Sequence, residues 1–84
     1  MRIDNLPQYF GAFLRSTRKA QGKSQEELAL TTGLDRTYIS LLERGKRQPT
    51  LKTIFILAQA FHVPATDIIE QIQRFDREYA NSSD

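Results

Sequence analysis

The stretch from Ser24 to Pro49, SQEELALTTGLDRTYISLLERGKRQP, predicts two short helices joined by a glycine turn and followed by a basic loop. Ser24 and Glu27 have the spacing of a capping box, in which each side chain accepts the backbone N–H of the other residue at the start of a helix. Gly33 is a typical helix end, and Asp35 is a suitable N-cap for the next helix, which should stop at the following glycine. We therefore expect helices 2 and 3 of the chain in this stretch.

Three further helices are expected around this pair. Helix 1 should run from about Pro7 to Gln21, helix 4 should open at Pro49-Thr50, and helix 5 should run from about Ala65 to Tyr79, with residues 81–84 frayed. The apolar stripe of helix 4 comprises Leu51, Ile54, Leu57, Ala58 and Phe61. No repeat, linker or strand pattern interrupts the series, so residues 1–84 should form a single all-α domain of five helices.

The composition excludes several classes of protein. Hydrophobic residues make up 39% of the chain and charged residues 26%, which is typical of an ordinary globular domain. The absence of cysteine excludes disulfide frameworks and cysteine-ligated zinc sites. No apolar run approaches the roughly 20 residues that span a bilayer, and no signal-peptide pattern is present, so we expect a cytoplasmic protein.

Catalysis is not expected of this sequence. It has no cysteine nucleophile, no glycine-rich phosphate loop and no pair of histidines at metal-ligand spacing. His62 is the only histidine and has no nearby set of ligands, so we interpret it as a surface residue at a helix end. We therefore predict no catalytic residue, no metal and no cofactor.

Charge is distributed unevenly along the chain. Residues 1–52 contain ten lysines and arginines against five acidic residues, a net charge of +5. Residues 53–84 contain two against five, a net charge of −3. This asymmetry suggests one face for a polyanion and another face for a different partner.

One side of helix 3 has the side chains expected of a surface that enters the major groove of DNA. At about 100° per residue, five of its residues fall within an arc about 140° wide. These residues are Arg36, Thr37, Ser40, Leu41 and Arg44. Arginine hydrogen-bonds guanine through two N–H groups, hydroxyls contact several bases, and an apolar side chain touches the thymine methyl group. The alternative is a merely solvated polar face, but Gln25 before it and Lys46 and Arg47 after it are placed to hold phosphates on both sides of a groove.

The same segments resemble the helix-turn-helix of the XRE family, the Cro and phage-repressor type of DNA-binding domain. The similarity covers about residues 8–70, and the stretch LDRTYIS at residues 34–40 particularly resembles the controller proteins of restriction–modification systems. The matching elements are Arg18, Ser24-Gln25, Glu27-Leu28-Ala29, Gly33-Leu34, Ile39-Ser40, Glu43 to Arg47, Pro49, Leu57-Ala58 and Val63. The resemblance implies a lambda-repressor-like fold, with the helix-turn-helix formed by helices 2 and 3, and sequence-specific binding of double-stranded DNA.

The resemblance also implies a role for each matching residue. Base contacts are implied for Arg36, Thr37, Ser40 and Leu41. Phosphate contacts are implied for Gln25, Tyr38, Arg44, Lys46 and Arg47. For Tyr38 the alternative is a partly buried packing role, and for the two basic residues after helix 3 it is a solvated loop.

Arg18 and Glu43 are assigned to the structure rather than to DNA contact. Glu43 lies on the packing side of helix 3, where an unpaired carboxylate would be costly. In the family the equivalent acid pairs with the arginine at the position of Arg18, so the resemblance implies an ion pair between helices 1 and 3. Loss of this pair should destabilise the fold before it changes base choice.

Apolar residues in helices 4 and 5 exceed the needs of a small core and suggest a homodimer interface. These residues are Phe55, Ile56, Ile69, Ile72, Phe75 and Tyr79. The alternative is that they cover helix 1 around Phe10 and Phe13. A dimer would hold two recognition helices about one turn of DNA apart, roughly 34 Å, on a palindromic operator.

Together these expectations describe a transcriptional regulator, either a restriction–modification controller or a prophage-type repressor. With no room for a separate sensing domain, occupancy of the operator should follow protein concentration. A function of a different class remains open, namely an antitoxin or adaptor whose acidic helix 5 binds a partner protein.

Overall fold

A computed structural model of the chain describes the backbone of residues 1–82 and the side chains of residues 1–78. A short 3-10 helix at Ile3–Asn5 is followed by five α-helices. These helices are α1 (Leu6–Ala20), α2 (Gln25–Thr32), α3 (Arg36–Glu43), α4 (Leu51–Phe61) and α5 (Ala65–Ser82). Residues 1–82 contain no strand, and the predicted all-α class with five helices is confirmed.

Local hydrogen bonds fix the start of α2 and α3 as predicted. The hydroxyl of Ser24 accepts the N–H of Glu27 at 3.0 Å, and the carboxylate of Glu27 accepts the N–H of Ser24 at 2.9 Å, which completes the capping box. The carboxylate of Asp35 accepts the N–H of Thr37 at 2.8 Å. Each contact satisfies a backbone donor that the first turn of the helix leaves without a partner.

The ends of the outer helices differ slightly from the predictions. The 3-10 helix at the N-terminus was not predicted, and α1 begins at Leu6, one residue early. The fifth helix runs to Ser82, three residues past its predicted end and into the segment expected to fray. The last two residues of that segment, 83 and 84, lie outside the described residues.

The core lies where all five helices meet. It contains Tyr9, Phe10, Phe13, Leu14, Leu28, Ile39, Leu42, Leu57, Ala58, Phe61, Ile68 and Ile72. The rings of Phe13 and Phe61 pack edge to face with centroids 6.2 Å apart, an arrangement that favours the aromatic quadrupoles and joins α1 to α4.

A glycine in the middle of α1 allows an unusually close approach of α3. A Cβ atom added at Gly11 would lie 2.5 Å from the carbonyl oxygen of Leu42 and 2.6 Å from that of Glu43. Both atoms belong to the backbone at the end of α3, so any side chain at this position would push the two helices apart. No local pattern in the sequence predicts this contact.

The inner face of α4 differs from the predicted stripe at one position. Leu51, the first residue of the helix, is 71% exposed. Thr53 is buried instead, and its hydroxyl pairs with the hydroxyls of Tyr38 at 3.3 Å and Thr50 at 3.0 Å. Because these hydrogen bonds satisfy its polar group, a threonine is tolerated in the core, and Leu51 lies at the solvent-exposed start of the helix.

The expectation for His62 is confirmed. It is an exposed residue that caps the end of α4 in the left-handed conformation, with φ 60° and ψ 41°.

None of the helices within residues 1–82 has the length and hydropathy that crossing a membrane requires.

Candidate nucleic-acid interface

The turn between α2 and α3 sets the angle at which the third helix leaves the core. Gly33 ends α2 with φ 76°, a left-handed conformation that glycine adopts without steric strain. From there α3 buries one side completely, since Ile39 and Leu42 are 0% exposed. The opposite side of α3 is exposed in its first turn and partly covered one turn later.

The residues assigned to base contacts lie together on that outer side. Arg36 and Thr37 are exposed in the first turn, and Ser40 and Leu41 are half-buried one turn later. The guanidinium of Arg44 donates to the hydroxyl of Ser40 at 3.3 Å, which is direct evidence that positions 40 and 44 share one face. This surface combines hydrogen-bond donors, hydroxyls and an apolar tip, as base recognition in a major groove requires.

Cations without carboxylate partners surround this face. Arg36, Arg44, Lys46 and Arg47 are all exposed, and within the described part of the chain none of them forms an ion pair. Their charge is therefore available to an external polyanion. The two residues of the loop after α3 lie beside the end of the helix, whereas Gln25 occupies the first position of α2.

Tyr38 is half-buried at the boundary between the core and this surface. Its hydroxyl pairs with that of Thr53, and the guanidinium of Arg47 lies 5.8 Å from the centroid of its ring, within cation–π range. These contacts fit the packing alternative raised for Tyr38. The stacked Arg47 is thereby held close to α3.

The ion pair expected between Arg18 and Glu43 is present. Arg18 donates from Nε to Glu43 Oε2 at 2.6 Å and from Nη2 to Oε1 at 3.0 Å, a two-point contact that fixes both side chains. The Nη1 group of Arg18 also donates to the carbonyl of Lys23 at 2.8 Å. The pair therefore joins α1, the turn before α2 and the end of α3.

Glu43 has a further partner that the sequence analysis missed. Gln25 donates from Nε2 to Glu43 Oε1 at 3.0 Å. Burial alone would raise the pKa of Glu43, but the hydrogen bonds from Arg18 and Gln25 and the positive charge nearby hold this pKa below its ordinary value. The carboxylate is therefore ionised at neutral pH and accepts all three hydrogen bonds.

The residues assigned to a dimer interface divide into two groups. Phe55 and Ile69 are 53% and 48% exposed. Ile72 is only 7% exposed and belongs to the core, which corrects its assignment to the interface. Phe75 also packs against the core, so for these two residues of α5 the alternative role of covering the interior applies.

Of the remaining two candidates, Ile56 contributes little to an exposed apolar face. Ile56 is half-buried and lines a shallow pocket between α2 and α4, on a different side of α4 from Phe55. It turns away because successive helix residues are separated by about 100°. The side chain of Tyr79 lies outside the described residues.

An apolar groove lies next to Ile69. It has a volume of about 300 Å³ and runs between the start of α1, the loop before α4, and α5. Its apolar lining includes Met1, Leu6, Phe10, Ile54 and Ile69. The exposed side chain of Ile69 is thus continuous with a concave apolar surface.

Comparison with known proteins agrees with this geometry. The control protein C.BamHI of Bacillus amyloliquefaciens is 37% identical over 68 residues, which cover 80% of this chain and 84% of that protein. The crystal structure of the restriction-modification controller protein C.AhdI from Aeromonas hydrophila is 42% identical, with a TM-score of 0.71 over 74% of this chain and 94% of that chain.

A further solved structure contains DNA. It is the restriction-modification controller protein C.Esp1396I as a tetramer in complex with its natural 35 base-pair operator. That protein is 30% identical, with a TM-score of 0.74 over 82% of this chain and 91% of that chain.

The family profile HTH_3, described as helix-turn-helix, matches residues 14–68. The match includes α2, the turn and α3, together with the end of α1, the whole of α4 and the start of α5. The resemblance inferred from the sequence is thus confirmed, and the chain belongs to the helix-turn-helix family HTH_3.

Proposed function

We propose that two copies of this chain bind a palindromic operator, each with α3 in the major groove, and that the chain controls expression of a restriction–modification system. As a member of its family, the chain is a sequence-specific DNA-binding regulator of transcription. The proposal concerns how it binds and what it regulates.

The observation that carries the proposal is the outer face of α3. Arg36 and Thr37 project from the first turn of a helix whose other side is anchored in the core, and unpaired cations stand on its borders. A rigid helix with an exposed guanidinium and hydroxyls supports base recognition. The flanking cations support phosphate contacts that orient the helix but do not select the sequence.

The role of each residue follows from its position. We assign base contacts to Arg36, Thr37, Ser40 and Leu41. We assign phosphate contacts to Gln25, Arg44, Lys46 and Arg47, and to Tyr38 the role of holding Arg47 close to α3. For Gln25, the N-terminal end of α2 adds the partial positive charge of the helix dipole.

A dimer is supported by the exposed apolar side chains of α4 and α5. Phe55 and Ile69 leave about half of their surface exposed within the described chain, and the groove beside Ile69 offers a concave surface to a second copy. C.Esp1396I, a relative, is a tetramer on its operator. We extend this arrangement to the present chain as two dimers on adjacent sites.

Regulation then depends on concentration. A dimer forms only above its dissociation constant, and cooperative occupation of adjacent sites makes the response to concentration steep. Covering a promoter would repress transcription, and a contact with the polymerase would activate it. The protein would act in the cytoplasm, where its DNA target lies, and the proposal assigns it no catalytic step.

Selection of randomised duplex DNA by the purified chain at near-physiological salt tests the proposal. We expect enrichment of a palindrome with half-sites centred about one helical turn, roughly 34 Å, apart. A neighbouring gene for a restriction endonuclease or a methyltransferase would support the controller role. Failure of a folded chain to enrich any sequence would overturn the proposal and favour a partner-binding adaptor or antitoxin.

A further inference from the structure

The carboxylate of Glu43 lies where three helices meet. It belongs to the last residue of α3, its side chain is 3% exposed, and its two oxygens accept three hydrogen bonds. Two of these come from Arg18 of α1, and the third comes from Nε2 of Gln25, the first residue of α2. The buried carboxylate of Glu43 thus holds the side chain of Gln25 at the N-terminal end of α2, where the phosphate contact is proposed.

The hydrogen bond to Glu43 orders the amide of Gln25. A free glutamine side chain loses considerable rotamer entropy when a ligand fixes it. The amide nitrogen carries two N–H groups, so a nitrogen that donates one of them to Glu43 retains the other for a phosphate. An amide that is already ordered binds its ligand with a smaller entropic loss than a mobile one.

Arg18 neutralises the negative charge of Glu43, which would otherwise oppose a phosphate contact nearby. A bare carboxylate next to a phosphate contact would repel the DNA. The guanidinium of Arg18 donates to both oxygens of Glu43, at 2.6 and 3.0 Å, so the pair is close to neutral as a unit. Its third contact, to the carbonyl of Lys23, also fixes the turn that leads into α2.

We propose that Glu43 is a positioning residue for DNA binding, which orders Gln25 for its phosphate without touching DNA itself. This inference rests on the proposed function, because it requires the chain to bind DNA through Gln25. It extends the role of Glu43 beyond the stability that the ion pair with Arg18 provides.

A double-mutant cycle on operator affinity tests the inference, with Gln25→Ala and Glu43→Gln as the two changes. Glu43→Gln keeps the size of the side chain but removes the charge and one acceptor oxygen. We expect Gln25→Ala to raise Kd about 10-fold in the wild-type background, the effect of one hydrogen bond to a charged group. In the Glu43→Gln background the same change should raise Kd by less than about 3-fold, because the charged Arg18 competes for the one remaining oxygen and Gln25 is held less firmly.

Chemical substitution of the DNA gives a readout that a purely structural role would not alter. A neutral methylphosphonate at the phosphate contacted by Gln25 should weaken binding of the wild-type protein about 10-fold. The same substitution should have little effect on Gln25→Ala and a reduced effect on Glu43→Gln. All measurements are made at a temperature at which each variant is folded by circular dichroism.

Ile39→Val is the matched control, since it loosens the packing of α3 but leaves the carboxylate in place. In that background Gln25→Ala should retain its full effect. If Glu43→Gln does not fold, Glu43→Asp replaces it, because the shorter side chain keeps the charge but withdraws the carboxylate from Gln25. Additive effects of the two changes would overturn the inference. A wild-type protein that binds no operator would instead overturn the proposed function.

Discussion

At the scale of single residues, the roles proposed for α3 and for the loop after it separate recognition of sequence from general affinity for DNA. We expect Arg36→Ala to weaken binding to the operator by about 1–3 kcal/mol and to relax base choice at one position, because an exposed guanidinium in the first turn can reach a base edge. Lys46→Ala is the matched change in the loop. It should weaken binding to all duplexes and reduce the dependence of log K on log salt by about one unit.

Titration of operator and random duplexes at several salt concentrations distinguishes the two residues. The assignment of base contacts to α3 fails if Arg36→Ala and Lys46→Ala both reduce operator and random binding equally. Ser16→Ala, an exposed change on α1, serves as a control that should alter neither property.

Glu43 should also make the stability of the protein depend on pH. Its pKa is lowered in the folded state from an ordinary value of 4.5, because Arg18 and Gln25 stabilise the charged form more than burial opposes it. The stability it contributes is therefore complete above about pH 4.5 and is lost as the pH falls through the lower folded pKa. The free energy of unfolding of Glu43→Gln should lie below that of the wild type at pH 7, and the difference should shrink in acid.

Urea unfolding from pH 7 down to pH 3 measures this difference, with roughly 10–15% uncertainty in each extrapolated value. The wild type retains other acid-sensitive groups, since hydrogen bonds from the backbone of Ser24 and of Arg2 lower the pKa of Glu27 and of Asp76. Comparison with the variant isolates Glu43. If the free energies of unfolding of the wild type and Glu43→Gln differ by a constant or growing amount in acid, Glu43 does not have a lowered pKa in the folded state.

At the scale of helices, local patterns in the sequence predicted contacts between residues close in the chain and did not indicate those between distant residues. The capping box of Ser24 and Glu27 and the cap at Asp35 depend on side chains that reach the backbone two or three residues away, so they are visible in the sequence. The burial of Thr53 depends on Tyr38, 15 positions earlier. No local pattern indicates that partner.

The contacts of the candidate site likewise divide into those that the sequence predicted and those that it did not. Periodicity places Arg36, Ser40 and Arg44 on one side of α3, and the structure agrees. The ion pair of Arg18 with Glu43 followed from the family resemblance. The additional bond from Gln25 to Glu43 spans 18 positions and depends on the exact approach of α2 to α3, which periodicity does not determine.

Gly11 provides a prediction at this scale. Alanine in place of a glycine inside a helix ordinarily stabilises by about 0.5–1 kcal/mol. Here the new methyl group would meet two backbone carbonyls of α3 at 2.5 and 2.6 Å, so we expect Gly11→Ala to destabilise by about 1–3 kcal/mol through overpacking. Thermal and urea unfolding check this, with Ser16→Ala on the exposed side of the same helix as the control. A stabilised Gly11→Ala would show that α1 and α3 are less tightly packed.

At the scale of the whole molecule, the cations proposed to bind DNA and the apolar side chains proposed to form the dimer interface lie on different elements. Arg36, Arg44, Lys46 and Arg47 lie on α3 or just after it, whereas Phe55 and Ile69 lie on α4 and α5. One surface can therefore bind DNA as the other binds a second copy. Because a single recognition helix contacts only a few base pairs, specificity depends on both surfaces acting together.

Phe55→Ser and Ile69→Ser should therefore separate the two copies without unfolding either one. Both side chains are about half exposed in the single chain, so their loss removes little from the core. Truncating an apolar anchor at an interface typically removes more than 1 kcal/mol, and we expect the dimer dissociation constant to rise about 10-fold or more, with weaker binding to a palindromic operator. Sedimentation equilibrium measures the dimer dissociation constant.

Leu30→Ser on α2, where the leucine is 82% exposed, is the matched control and should leave the dimer intact. If Leu30→Ser separates the copies and the other two changes do not, the interface lies on α2, and the spacing of the two recognition helices must be derived from that surface instead.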